Sequence, residues 1–137
     1  MDAKYTLLVV DDVADNRTIL RRRFEATGFA VVEAADGPAA LEALQDDLVD
    51  LVLLDLNMPG LSGSDVLKEI RETRPASELP VVMVTASTQI ADVLNARRLG
   101  ANDYVTKPID FGTALTRVRG QLKGRIARAA RAMRPVG

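Results

Sequence analysis

The sequence contains neither cysteine nor histidine, and these two absences remove several kinds of chemistry. Without cysteine the chain has no disulfide and no thiol nucleophile, which is compatible with a cytoplasmic protein. Without histidine it has no imidazole for acid–base catalysis or for a zinc site, and no internal phosphohistidine. A metal ion bound by this chain would therefore take oxygen ligands, which favours a hard cation.

Long apolar runs are also missing, because no run approaches the roughly 20 residues that a membrane span needs. The N-terminus shows no signal peptide, so we expect a cytoplasmic location without membrane contact. Tryptophan is absent and aromatic residues make up only 4% of the chain, so Val, Leu, Ile and Ala have to build the core. The 137 residues, 47% hydrophobic and 27% charged, fit one soluble domain.

The net charge of −1 conceals an uneven distribution along the chain. Residues 111–137 hold seven basic residues and no acidic one, whereas residues 1–110 hold the other 11 basic and all 19 acidic residues, a net charge of −8. The body is thus acidic and the tail is basic. Residues 123–137 contain no aromatic residue for base stacking and few bulky apolar residues, which argues against nucleic-acid binding and against a membrane anchor.

Five short apolar runs alternate with five amphipathic stretches. The apolar runs are rich in Val and Leu and do not alternate with polar residues, which is typical of strands buried on both faces. They predict strands near 5–10, 30–34, 50–54, 80–84 and 102–105, and the amphipathic stretches predict helices near 14–27, 37–46, 63–73, 88–99 and from 111 onward. Asp36 is placed to cap the second helix, while Gly28 and Gly100 are placed to end the first and the fourth.

This strict alternation predicts an α/β fold with right-handed crossovers between parallel strands. We predict a doubly wound five-stranded parallel sheet of order 2-1-3-4-5, a flavodoxin-like three-layer sandwich. In that order the first and third strands flank the topological switch point, and ligands bind outside the carboxyl ends of the strands there.

Polar side chains follow four of the predicted strands at this edge. Asp11 and Asp12 follow the first strand, Asp55 the third, Thr85 the fourth and Lys107 the fifth. Taken singly, an aspartate or threonine after a strand is most often a helix cap, and a lysine is most often a solvated surface residue. Their combination in this order predicts one small cleft that holds a divalent cation and a phosphoryl group.

The acidic residues of the cleft suit magnesium. Asp11 and Asp12 cannot lie close together in ionised form without a counter-charge, and Mg²⁺ prefers oxygen ligands while keeping several waters. We predict that Asp12 and Asp55 are ligands, that Asp11 holds a water, and that the backbone carbonyl of Asn57 faces the same ion.

Asp55 is the best candidate nucleophile, because a carboxylate can attack phosphorus and form an acyl phosphate. Charge on the transferring group needs positioned cations, and Mg²⁺ and Lys107 supply two. The Thr85 hydroxyl can donate a hydrogen bond to a phosphoryl oxygen. Pro108 restricts the backbone of Lys107 to extended conformations, which helps to aim the lysine.

With these residues the chain resembles the receiver domain of bacterial two-component response regulators, from about residue 5 to residue 122. The resemblance rests on Asp11-Asp12, on the segment from Asp55 to Gly63, on Thr85-Ala86 and on Tyr104-Val105-Thr106-Lys107-Pro108. We predict a receiver domain over 1–122, followed by a basic helical tail or the start of a linker over 123–137.

The resemblance implies a phosphorelay role rather than an enzyme that turns over an external substrate. Asp55 would accept a phosphoryl group from a histidine kinase or a histidine phosphotransfer protein, in a reaction that the domain itself promotes. Thr85 and Tyr104 would act as the switch that changes the surface of the fourth helix, fifth strand and fifth helix. That surface would control an output protein, a C-terminal effector domain or a phosphorylation-driven homodimer. Asn57 and Ser87 would tune the lifetime of the acyl phosphate.

Two other functions are compatible with parts of the pattern. An aspartate-nucleophile phosphohydrolase of the haloacid dehalogenase type shares the fold class, but it uses a second aspartate two residues after the nucleophile, where this chain has Asn57. A phosphorylation-independent adaptor would use the fold alone, and the intact acidic cleft argues against it.

The basic tail allows three interpretations: a solvated fraying helix, a coiled-coil linker or dimer helix, and a contact for an acidic partner. Apolar residues recur at spacings of three and four, which predicts that the last helix continues past residue 122; they are Leu115, Val118, Leu122, Ile126, Ala129 and Met133. Gly120 and Gly124 each weaken such a helix by roughly 1 kcal/mol relative to alanine.

Overall fold

Five parallel strands and the helices between them form the architecture, which we describe from a computed structural model for residues 4–87 and 89–132. The sheet has the order β2-β1-β3-β4-β5, which confirms the predicted doubly wound fold. The strands are β1 (Thr6–Val10), β2 (Ala30–Ala34), β3 (Leu51–Asp55), β4 (Val81–Thr85) and β5 (Asp103–Thr106). The helices are α1 (Ala14–Ala26), α2 (Gly37–Ala43), α3 (Gly63–Thr73), α4 (Ile90–Arg98), α5 (Phe111–Leu122) and α6 (Arg128–Ala132).

The central strands are apolar on both sides because helices cover both faces of the sheet. Along β3 every residue is buried, and successive side chains enter opposite layers of the core. Leu51 and Leu53 pack in the layer that contains Phe24 of α1, whereas Val52 and Leu54 pack in the layer on the other face. The three-layer sandwich thus follows from the continuous apolar runs in the sequence.

Local signals set the beginnings and ends of the helices as predicted. The Asp36 carboxylate accepts a hydrogen bond from the Ala39 amide at 2.8 Å and caps α2. Gly28 and Gly100 follow α1 and α4 with φ of +101° and +107°, a conformation that costs glycine little. Within residues 4–87 and 89–132, none of the helices is long and apolar enough to cross a membrane.

The prediction of a last helix that continues past residue 122 is wrong. α5 ends at Leu122, Gly124 takes φ of +80°, and the short helix α6 begins only at Arg128. A residue with positive φ cannot continue a right-handed helix. In the segment that follows, Ala127 is buried and the Arg128 amide donates a hydrogen bond to the Asp50 carboxylate, directly before β3. Met133 and Arg134 lie outside the described residues.

Candidate functional site

The sheet brings the predicted acidic residues together at one edge. β1 and β3 are hydrogen-bonded neighbours, so Asp11 and Asp12 after β1 lie beside Asp55 at the end of β3. One carboxylate oxygen from each of the three residues lies within 4.8 Å of the other two. Asp11 and Asp55 are buried, and Asp12 is exposed. The cluster is therefore anchored in the fold and open to solvent on one side.

Groups at the start of α1 hold Asp11 in place. Its Oδ1 accepts a hydrogen bond from the Val13 amide at 2.8 Å, and its Oδ2 accepts a long one from the Asn16 side chain at 3.4 Å. The Arg17 guanidinium donates to the Asp11 backbone carbonyl at 2.7 Å. Sequence reasoning missed Asn16 and Arg17; their only signal is that they are polar and lie in the first turn of the helix that follows the acidic pair.

Asp55 is 1% exposed, and each of its carboxylate oxygens has one partner. Oδ1 accepts a hydrogen bond from the Asn57 amide, and Oδ2 accepts one from the Lys107 ammonium, both at 3.0 Å. Burial raises the pKa of Asp55 above its ordinary value, while Lys107 and the Asn57 amide oppose this rise and the charge of Asp11 adds to it. A further cation beside Asp55 would favour its ionised form.

Thr85 and Lys107 are joined through the backbone at the ends of β4 and β5. The Lys107 amide donates to the Thr85 carbonyl at 2.8 Å, and the Lys107–Pro108 peptide bond is cis. The buried Thr85 hydroxyl accepts a hydrogen bond from the Ser87 amide at 3.0 Å. The structure thus places the Lys107 ammonium against the Asp55 carboxylate, while the Thr85 hydroxyl is hydrogen-bonded to Ser87 in the loop after β4.

Tyr104 lies on β5, two strands from β3, which ends at Asp55. Its half-buried ring packs against the core layer that contains Ala96 of α4, and the Arg117 guanidinium lies 6.0 Å from the ring centroid. Arg117 in turn forms an ion pair with Asp103 at 3.2 Å. Tyr104 therefore forms part of the surface made by α4, β5 and α5.

Gly63 allows α3 to begin directly against the backbone of Asp55 and Leu56. A Cβ atom at this position would lie 2.3 Å from the Asp55 carbonyl oxygen and 2.7 Å from the Leu56 Cα. The Gly63 amide also donates to the Leu56 carbonyl at 3.1 Å. Sequence reasoning counted Gly63 only as part of a motif; its positioning role appears only with the close approach of α3 to Asp55.

The substitution Gly63→Ala is expected to displace α3 or the Asp55 loop, because the clash is with backbone atoms that no side-chain rotation relieves. Overpacking of this kind costs about 1–3 kcal/mol of folding free energy. Displacement of Asp55, the predicted phosphoryl acceptor, should slow phosphoryl uptake by on the order of 10- to 100-fold. Thermal unfolding and timed intact-mass spectra measure the two effects.

Gly120→Ala is the matched control for this substitution, because a Cβ atom there meets nothing within 4 Å and the position is exposed on α5. Alanine at a helical glycine position should stabilise the fold by up to about 1 kcal/mol. Wild-type uptake by Gly63→Ala would show that Gly63 does not position Asp55.

The donor set at the site fits a hard divalent cation. Asp11, Asp12 and Asp55 offer carboxylate oxygens within one ion's reach, and the exposed Asp12 leaves the side toward solvent free for water ligands. Three carboxylates and one lysine leave excess negative charge, which a divalent ion would neutralise.

Comparison with known proteins agrees with this geometry. A model of the family described as "Response regulator receiver domain" matches residues 7–119. The "Probable transcriptional regulator ycf27" of Guillardia theta is 39% identical over 123 residues, which are 90% of this chain and 47% of that protein. The "Transcriptional regulatory protein CpxR" of Klebsiella pneumoniae is 41% identical over 117 residues, 85% of this chain and 49% of that protein. The chain spans about half the length of these curated relatives.

A solved structure shows the same fold over nearly the whole chain. The Vibrio cholerae chemotaxis protein CheY4 matches with a TM-score of 0.82 and 28% identity, over 88% of this chain and 100% of that one. The sheet order, the acidic cluster with its lysine and the family match over residues 7–119 agree with one another. The chain belongs to the receiver domains of two-component response regulators, which are phospho-accepting signalling domains.

Proposed function

We propose that this receiver is a magnesium-dependent switch whose phosphoryl acceptor is Asp55. The observation that carries the proposal is the position of this buried carboxylate, 3.0 Å from the Lys107 ammonium and within 4.8 Å of the Asp11 and Asp12 oxygens. No other described carboxylate has both a lysine partner and two neighbouring carboxylates.

Asp11, Asp12 and Asp55 would hold the Mg²⁺ ion, which when bound supplies positive charge against the phosphoryl oxygens. The Asp55 carboxylate attacks phosphorus in the phosphohistidine of the donor. An O–P bond forms, the P–N bond breaks, and the departing electron pair stays on the imidazole nitrogen, which is protonated. Lys107 lies where charge develops on the phosphoryl group and stabilises it.

The switch requires that the Thr85 hydroxyl turn its proton toward the phosphoryl group. Its hydroxyl now accepts from the Ser87 amide, and a phosphoryl group on Asp55 adds about −1.5 to −2 charges and three strong acceptor oxygens nearby. We propose that the hydroxyl turns to donate to one of these oxygens and that Tyr104 moves with it. The acyl phosphate thereby favours one of two conformations.

The donor and the target are proposed to bind on different faces. A cavity of about 410 Å³ lies between α1 and the segment after β5, and Lys107, Ile19 and Phe111 line it beside the acceptor. A histidine kinase or a phosphotransfer protein would bind there. On α4, Ile90 is 76% exposed and Leu94 is 54% exposed, which supports this helix as part of the surface for an output protein, an attached effector domain or a second copy.

Incubation with acetyl phosphate and Mg²⁺ tests the proposal and should add one phosphoryl group per chain, measured by intact mass. Removal of Mg²⁺ with EDTA should suppress the adduct, because three carboxylates without a counter-ion repel an incoming phosphate. Asp12→Asn should slow uptake at limiting Mg²⁺ by at least about tenfold, because the loss of only about 1.4 kcal/mol of stabilisation slows a reaction by that factor.

Asp15→Asn is the matched control, because it removes the same charge from an exposed residue three positions further along the chain. Equal uptake with EDTA, or equal slowing by Asp15→Asn and Asp12→Asn, would contradict a metal site formed by the acidic cluster.

A further inference from the structure

The chain after α5 turns back and contacts residues at the amino-terminal ends of the central strands, opposite the acceptor site. We call residues 124–132 the strap. Gly124 makes the turn with φ of +80°, Ala127 is 5% exposed, and the Arg125 carbonyl accepts a hydrogen bond from the Tyr5 hydroxyl. Tyr5 lies directly before β1, so the strap contacts the amino-terminal end of the sheet.

The buried carboxylate of Asp50 joins the strap to two central strands. Its Oδ2 accepts a hydrogen bond from the Thr6 amide of β1 at 2.7 Å, and its Oδ1 accepts one from the Arg128 amide at 2.8 Å. Asp50 itself lies directly before β3 and is 6% exposed. Hydrogen bonds to a charged and buried acceptor are about twice as strong as those between neutral groups. The backbone of the strap is thus held by the fold and not by its own helix alone.

The Arg128 side chain makes a second set of contacts at the same place. Its guanidinium donates to the Asp47 carboxylate at 2.7 Å and to the Glu78 carbonyl at 3.0 Å, and it lies 3.8 Å from the Glu78 carboxylate. The Arg128 side chain is only 12% exposed. Asp47 and Glu78 belong to the loops before β3 and β4, so one arginine ties both loops to the strap.

We propose that the strap is an integral part of the receiver, an internal ligand of the acidic site formed by Asp47, Asp50 and Glu78. This replaces the predicted boundary at residue 122 with one at or beyond residue 132. It also assigns two of the basic residues of the tail, Arg125 and Arg128, to contacts within the protein. Arg125 donates to the Glu78 carbonyl at 3.4 Å and to the Gln121 carbonyl at 3.0 Å.

The strap determines where the chain leaves the domain. Asp50 and Asp55 lie at opposite ends of β3, roughly 17 Å apart for five residues of extended strand. The strap therefore lies at the end of the domain opposite the phosphoryl site. Its contacts hold the carboxyl end of α5 at that end of the domain as well. A continuous helix after α5 would instead carry the basic residues away from the body and leave Asp50 with one partner fewer.

Amide hydrogen exchange followed by NMR on the full chain separates the strap from a helical extension or a frayed tail. The Arg128 amide should be protected in the wild type, and in Asp50→Asn its protection should fall at least tenfold more than that of the Val66 amide in α3. A helical extension would bond that amide to Gly124 and make its protection independent of Asp50. An unprotected amide in the wild type would also overturn the proposal.

Thermal unfolding of side-chain variants gives an independent measure. Arg128→Ala and Tyr5→Phe should each lower Tm by about 2–5 °C, while Arg119→Ala, which removes the same charge from an exposed position on α5, should change it by less than about 1 °C. Equal Tm values for Arg128→Ala and Arg119→Ala would show that the strap does not contribute to the fold. Because none of the three variants touches the acceptor cleft, phosphoryl uptake below Tm should remain at the wild-type rate in all of them.

Discussion

Asp55→Asn is expected to abolish phosphoryl uptake from acetyl phosphate. The amide oxygen of asparagine carries no full negative charge and cannot form a stable acyl phosphate, so the reaction loses its nucleophile and not merely a stabilising contact. The neighbouring carboxylates of Asp11 and Asp12 remain, but they lie at the end of β1 and lack the 3.0 Å contact with Lys107. Intact mass spectra after extended incubation with Mg²⁺ should show no adduct.

The folded state should tolerate this substitution. Asparagine can still accept the hydrogen bond from the Asn57 amide. Burial also raises the pKa of Asp55, so its ionised form is less favourable in the folded chain than in the unfolded chain. This destabilisation begins as pH rises through the pKa that Asp55 has in the unfolded chain, and it is complete above the raised pKa that Asp55 has in the folded chain. Removal of the charge should therefore not lower Tm at neutral pH.

Asp103→Asn is the matched control for Asp55→Asn, because Asp103 is a second buried aspartate with a cationic partner, Arg117 at 3.2 Å. It lies at the amino-terminal end of β5, away from the cleft. We expect a normal phosphoryl adduct in this variant. A full-yield adduct in Asp55→Asn would show that another residue is the acceptor.

The sheet and most of the cleft could be predicted because they depend on patterns that are local in the sequence. Continuous apolar runs identify buried parallel strands, and in a parallel sheet the residues that follow the strands meet at one edge. Asp11, Asp55 and Lys107 could thus be placed together although they are far apart along the chain. The role of the Asn57 backbone carbonyl as a metal ligand remains a prediction. In the structure the Asn57 backbone amide donates a hydrogen bond to the Asp55 carboxylate.

The strap and the role of Gly63 depend instead on contacts that no local pattern records. The apolar spacing after residue 115 is helical, but the Asp50 carboxylate that binds the Arg128 amide lies 78 residues earlier. A glycine in a loop likewise gives no sign of the backbone that a side chain would meet. In both cases tertiary contacts determine the local conformation and override the propensity of the segment.

Lys107→Ala is expected to slow phosphoryl uptake by about 10²- to 10³-fold, the usual effect of removing one positioned group that stabilises developing charge. Uptake should not vanish, because Asp55 and the other carboxylates remain. Lys68→Ala removes the same charge from an exposed position on α3 and should leave the rate unchanged. Timed intact-mass spectra with acetyl phosphate and saturating Mg²⁺ give both rates, and equal rates for the two variants would exclude Lys107 from the reaction.

The same variant should also change the pH dependence of metal binding, in a direction that follows from the contacts of Asp55. Mg²⁺ binds the ionised carboxylate, so affinity should fall as pH drops through the pKa of Asp55, which burial raises and Lys107 lowers. Without Lys107 this pKa rises further, and the fall in affinity should begin at higher pH. At pH values where Asp55 is fully ionised, the loss of a competing cation should instead strengthen binding. Calorimetric titration of Mg²⁺ into wild type, Lys107→Ala and Lys68→Ala across the acidic range measures both effects. A Lys107→Ala profile that coincides with the wild type would show that the 3.0 Å contact does not govern the charge on Asp55.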